Sequence, residues 1–181
     1  MMLSKTVISI LLFLPFYMLS DGFQEVVNQA ENDDLKKRLK AFRQNGIEKK
    51  VNKPSGTTED IIEYAKSFLD TPHKMGGTDK NGIDCSGLVM EAFKKYGVDL
   101  PHSSNEQARF GKVIANKDAL KRGDMVFFHK TYNASKLITH SGIYLGDGEF
   151  IHTSTSQGVT ISDIDDPYYW GERYMFATRL F

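Results

Sequence analysis

The hydrophobic pattern of this chain changes period along its length, helical before Pro101 and extended beyond it. Leu88-Val89-Met90-Glu91-Ala92-Phe93-Lys94-Lys95-Tyr96 places apolar side chains at helical spacing, and Gly97 supplies a stop. Upstream, Ile61, Ile62, Ala65, Phe68 and Leu69 define one buried face of another helix. Thr58 is its expected N-cap, Glu59 and Asp60 fill the first turn, and Thr71-Pro72 ends it. Phe23, Val26, Val27, Ala30, Leu35, Leu39 and Phe42 make a looser stripe, which predicts one short amphipathic helix, read as a spacer with docking on the main domain as the alternative.

Past Pro101, Lys121-Arg122-Gly123-Asp124 forms a turn into the apolar strand Met125-Val126-Phe127-Phe128. His140–Leu145 and Glu149–Thr153 flank Gly146-Asp147-Gly148 and read as a hairpin. Val159–Ile161 and Tyr174–Leu180 add two more strands. Helices first and strands afterwards give an α+β fold, with an antiparallel sheet covered by the helix that follows Cys85. A three-residue hairpin loop would set His152 opposite Gly142, one same-face step from His140. Such neighbours lie roughly 7–8 Å apart, so both imidazoles would share one face, with the cysteine helix packed on it. A two-residue turn would put them on opposite faces.

The amino terminus changes the picture. Lys5, the apolar run Val7–Leu19 and Ser20-Asp21-Gly22 resemble a secretory signal peptide, with an uncleaved anchor as the alternative. The run is shorter than the ~20 residues that span a bilayer, and Pro15 interrupts it, so no stable span is expected after processing. The expected division is 1–20 signal peptide, 21–58 helical spacer and linker, and 59–181 catalytic domain. The linker is read from Gly46, Pro54, Ser55 and Gly56. With 23 basic and 23 acidic residues, the chain has no overall attraction for nucleic acid. The glycine-rich Gly76–Gly82 loop lacks a Gly-Lys-Ser/Thr terminus and is not a phosphate loop. A monomer is expected.

Export sharpens the meaning of Cys85, the single cysteine. Secreted domains pair their cysteines, so an unpaired one is either a reactive thiol or an inert buried one. Placed where a helix begins, its thiolate would be favoured by free N–H groups and the helix dipole. Cys85 would attack a carbonyl carbon, His140 would carry the proton, and His152 would fix the His140 tautomer. The Cys85 N–H would serve the oxyanion, with Asp84 and Ser86 expected on the substrate or oxyanion side. One Cys and two His could instead hold zinc, but no close Cys-x-x-Cys or His-Glu-x-x-His pairing is present. No metal or cofactor is therefore expected.

Several runs together resemble the NlpC family of bacterial cell-wall cysteine peptidases: Gly82-Ile83-Asp84-Cys85-Ser86-Gly87-Leu88-Val89, Leu100-Pro101-His102-Ser103-Ser104-Asn105-Glu106-Gln107, Arg122–Phe128, His140–Gly146 and Phe150-Ile151-His152. The resemblance implies a papain-like α+β core with Cys85, His140 and His152 as a Cys-His-His site. It also implies hydrolysis of peptidoglycan stem peptides, commonly between D-glutamate and a diamino acid, by a periplasmic or secreted enzyme. Two positions depart from the family pattern. His73 stands where family members carry a tyrosine twelve residues before the cysteine, which implies a place on the substrate or oxyanion side with a plain surface residue as the alternative, and His102 stands where an arginine often follows Leu-Pro. The alternatives are a thiol amidase or acyltransferase on the same fold, or a non-catalytic cell-wall binding module.

Overall fold

The computed structural model describes residues 21–181; the expected signal peptide lies outside the described residues. Where one helix was expected over the first stripe, two form: α1 (Gly22–Gln29) and α2 (Asp33–Gln44). Ala30 turns extended at ψ 130, and Asn32 starts the second helix by accepting from the Leu35 N–H at 2.9 Å. Phe23, Val26, Leu35, Leu39 and Phe42 enter the same hydrophobic cluster as Leu88, Phe93 and Phe127. The segment therefore docks on the domain, the alternative to a free-standing spacer. Buried Arg109 fastens it there: its Nη1 donates to Phe42 O at 2.7 Å and Gly46 O at 3.0 Å, satisfying carbonyls at the end of α2.

Helix α3 (Thr58–Lys66) is capped by Thr57, not Thr58, in a reciprocal capping box with Asp60. It also stops before the predicted end. The chain turns through Asp70 at φ 64, whose N–H donates to Val159 O at 3.0 Å, and Leu69 is left 40% exposed instead of joining the buried face. A small antiparallel hairpin, β1 (Thr78–Asp79) and β2 (Gly82–Ile83), leads into α4 (Cys85–Lys94). A single-turn helix, α5 (Ser104–Gln107), interrupts the stretch read as extended.

The main sheet is antiparallel throughout, in the order β3-β8-β4-β5-β6-β7. Its strands are β3 (Lys112–Ile114), β4 (Met125–Phe128), β5 (His140–Gly146), β6 (Glu149–Ser154), β7 (Gly158–Asp163) and β8 (Tyr174–Arg179). Edge strand β3 was not foreseen from the sequence. The fold is the predicted α+β arrangement, a cysteine-bearing helix on an antiparallel sheet.

Helix α4, however, packs on the opposite parity from the one expected. Ile143, Leu145 and Ile151 share the cluster of Leu88, Val89 and Phe93. His140 and His152 face the other way, beside a second cluster that contains Phe128 and Phe150. The apolar parity of β5 and β6 takes the helix, because Ile143, Leu145 and Ile151 on that face are fully or almost fully buried. Among the described residues no helix is long and apolar enough to cross a membrane.

Candidate active site

Hairpin β5–β6 sets the histidines by a device the sequence only half revealed. The turn holds two residues, Asp147 at φ 51 and Gly148 at φ 82, which alone would separate the imidazoles. A bulge between Tyr144 and Gly146 restores the parity, since Tyr144 pairs with Phe150 while Gly146 pairs with Glu149. His140 Nε2 consequently lies 3.1 Å from His152 Nδ1. Gly142 makes room for this: a Cβ there would sit 2.6 Å from Ile151 O and 3.2 Å from His152 Cβ.

Both imidazoles are buried, and Trp170 closes over them, its ring centroid 5.0 Å from that of His140 and 4.6 Å from that of His152. Burial pushes His152 down to about 4 and His140 well below the ordinary histidine value, with His152 and then His73 adding to the effect on His140. Neutral rings constrain the tautomers. For His140 to keep a bare Nδ1, its Nε2–H must donate to His152 Nδ1, and His152 then donates Nε2–H to Ser162 Oγ at 3.0 Å.

The start of α4 is fixed by Asp84, its N-cap. Oδ1 accepts from the Gly87 N–H at 2.7 Å, Ser86 Oγ at 2.9 Å and His102 Nε2 at 2.9 Å; Oδ2 accepts from the Gly76 N–H at 2.7 Å. Burial pushes this carboxyl up, but the Gly87 N–H, His102, the Gly76 N–H and Ser86 together hold it below the usual carboxylate range. Asp84 is thus an ionised acceptor and Ser86 spends its hydroxyl on it, so together they frame the helix start. The Cys85 N–H, by contrast, has no recorded partner among the described residues.

Cys85 is half-buried and unpaired, its Sγ 3.6 Å from Ser104 Oγ, and the backbone N–H of Ser141 also faces it. That N–H ties the sulfur to β5 one residue past His140. The expectation of a resting thiolate is corrected here. Burial pushes the Cys85 thiol above its ordinary value, Asp84 adds to this, and neither the Ser141 N–H nor a Ser104 hydroxyl turned to the sulfur reverses it. The helix start, read alone, omitted the cost of charging a sulfur away from water.

Cys85, His140, His152, His73, Asp84 and Ser86 all border one groove of about 780 Å³. His73 is held there by a parallel bridge to Ile83, with Ile83 N–H donating to Pro72 O at 3.1 Å. Four further residues were not given roles from the sequence: Ser104, Gln107, Ser141 and Trp170. Ser104, Gln107 and Ser141 sat inside quoted motifs, a usable signal, whereas nothing local marked Trp170. Among the described residues no group of three or more His, Cys, Asp or Glu is placed to hold a metal ion.

A cysteine at a helix tip, sharing a groove with linked imidazoles on an antiparallel sheet, is the architecture of a thiol-dependent hydrolase. The NlpC/P60 family model matches residues 70–179. A probable endopeptidase, an NlpC homolog of Haemophilus influenzae, is 38% identical over 161 residues, covering 83% of each chain. The murein DD-endopeptidase MepS/murein LD-carboxypeptidase of Escherichia coli K12 is 42% identical over 121 residues, covering 66% of this chain and 61% of that one. Among solved structures, an NlpC/P60 family protein from Bacillus cereus superposes with a TM-score of 0.63 at 33% identity, over 70% of this chain and 41% of that one. The chain belongs to the NlpC/P60 family and is a cysteine-type peptidase.

Proposed function

We propose that this protein is an exported peptidase that cleaves peptidoglycan stem peptides, between D-glutamate and a diamino acid, through Cys85, His140 and His152. The observation that carries this reading is the 3.1 Å contact between the imidazoles in the groove that Cys85 borders. The bond assignment rests on the family resemblance, and export rests on the apolar leader together with the wall-directed relatives.

The chemistry follows from a resting pair that is neutral on both sides. His140 Nδ1 takes the thiol proton as Cys85 Sγ bonds to the carbonyl carbon, and the carbonyl electrons move to oxygen. The Cys85 N–H donates to that oxyanion. The new imidazolium is stabilised by its Nε2–H bond to His152. As the tetrahedral species collapses, His140 returns the proton to the leaving amine and the C–N bond breaks. Water, deprotonated by His140, then displaces sulfur from the thioester, releasing the acid and restoring the thiol.

Incubation with defined muropeptides, one offering a D-glutamyl–diamino acid bond and one a D,D-cross-link, should release mass-identified fragments from the first. Cys85→Ala should abolish release, and a chelator should leave it intact. Turnover by Cys85→Ala at the wild-type rate would refute the nucleophile, and cleavage of the cross-link alone would refute the bond assignment. Fractionation of a tagged full-length chain should recover it outside the cytoplasm; cytoplasmic recovery would refute export.

A further inference from the structure

Behind the sulfur runs a chain of side chains whose proton directions are fixed from its far end. Gln107 is fully buried, and its Nε2 donates to two carbonyls, Ser86 O at 2.8 Å and Pro101 O at 3.0 Å. Only the NH₂ end of an amide can do this, so Oε1 must be the end that meets Ser141. Ser141 Oγ therefore spends its one proton on Gln107 Oε1, at 3.0 Å. Ser104 Oγ lies 2.9 Å from Ser141 Oγ. With the Ser141 proton already committed, that contact is a hydrogen bond only if Ser104 is the donor. Ser104 then has no proton left and turns lone pairs toward Cys85 Sγ, 3.6 Å away.

We propose that the Gln107–Ser141–Ser104 relay is one-way and holds Cys85 protonated in the free enzyme, the thiol donating to Ser104, with Ser141 and Gln107 as positioning residues. A thiolate would face those lone pairs. Turning the Ser104 hydroxyl to the sulfur would leave two oxygens in buried contact at 2.9 Å without a proton between them. The relay is thus a built-in preference for the thiol, released when substrate brings sulfur and His140 into reaction. It deepens the peptidase reading and rests on Cys85 as the nucleophile. Other titratable groups face the groove that holds the sulfur: Asp84 at its own helix start, His140 on β5, His73 and His102 from the preceding and following loops, and Tyr132 from the loop before β5. None of them supplies the directionality.

The sign of one shift decides the matter. Cys85 is the only cysteine, so the rate of iodoacetamide alkylation against pH reads its thiolate fraction alone. Ser104→Ala removes the acceptor of the thiol and should lower the alkylation midpoint by about one pH unit, or about tenfold faster alkylation below it. Ser141→Ala frees the Ser104 proton to turn to the sulfur and should lower the midpoint at least as far. A relay running the other way, with Ser104 donating to sulfur, predicts a rise in Ser104→Ala. A rise or no change in either variant, in protein whose thermal unfolding shows it folded, overturns the proposal. Alkylation needs no peptide substrate, so an inactive wild type would sink the peptidase reading and leave the relay standing. A rise in the midpoint would do the reverse.

Discussion

Adjacent residues of β5, His140 and Ser141, point to opposite faces of the sheet and build the two halves of the site by different physics. The Ser141 half is polar: Ser104 Oγ lies 3.6 Å from the sulfur, the Ser141 N–H faces it, and the Ser141 hydroxyl and the Gln107 amide continue the hydrogen-bond chain behind. The His140 half is aromatic, with Trp170, Phe128 and Phe150 packed around the imidazoles. Both halves reach the same electrostatic result, a neutral group. Burial depresses His140 and raises Cys85. Activity requires one group of the pair to hold a proton and the other to lack it, so depressing one limb and raising the other widens the pH range of the competent state.

Three changes test whether the halves are separable in this way. The largest effect is expected from His140→Ala, which removes the proposed proton carrier: kcat should fall by about 10²–10⁴-fold with KM little altered, measured by fragment release. A fall in the alkylation rate alone, with kcat intact, would show that His140 only shapes the sulfur's surroundings.

Next comes stability. His152 is pushed down to about 4 in the fold against an ordinary 6.5, so the unfolded chain binds more protons between those values. Its stabilising contribution is complete above pH 6.5 and is lost as pH falls toward 4. That amounts to about 2 kcal/mol between pH 6.5 and pH 5, with His140 adding in the same direction. Urea unfolding at the two pH values should show the loss, and His152→Gln should reduce it; an equal loss in the variant would place its origin elsewhere.

The smallest change is Trp170→Ala. Opening the aromatic cover to water should raise His140 toward its ordinary value and move the acid limb of kcat/KM up by about one pH unit, leaving the alkaline limb in place. Movement of both limbs together would mean that the halves are coupled through the sheet.

What could be read from the sequence separates along the same line. Cys85 at a helix start and the shared face of His140 and His152 were legible, because helical and strand periods are local. The partner of each hydroxyl was not. Ser104 and Ser141 are brought together by α5 packing against β5, a contact that no spacing rule encodes. Trp170 lay in a tyrosine-rich turn whose path depends on β8. The resting thiolate was misread for a related reason: helix-end electrostatics are local, while burial is a property of the whole fold. Likewise, Phe23–Phe42 showed the right apolar residues, but the cap at Asn32 divided them into two helices.

The bulge between Tyr144 and Gly146 makes catalytic competence a matter of counting. Deleting one residue there leaves a hairpin that can still close, with a shorter connection and every ladder bond available, yet it rotates one imidazole to the far side of the sheet. A frame of reference for the chemistry is thereby stored in chain length rather than in any side chain. Insertions and deletions at this tip should be far more damaging than substitutions, although it lies on the surface and away from the sulfur.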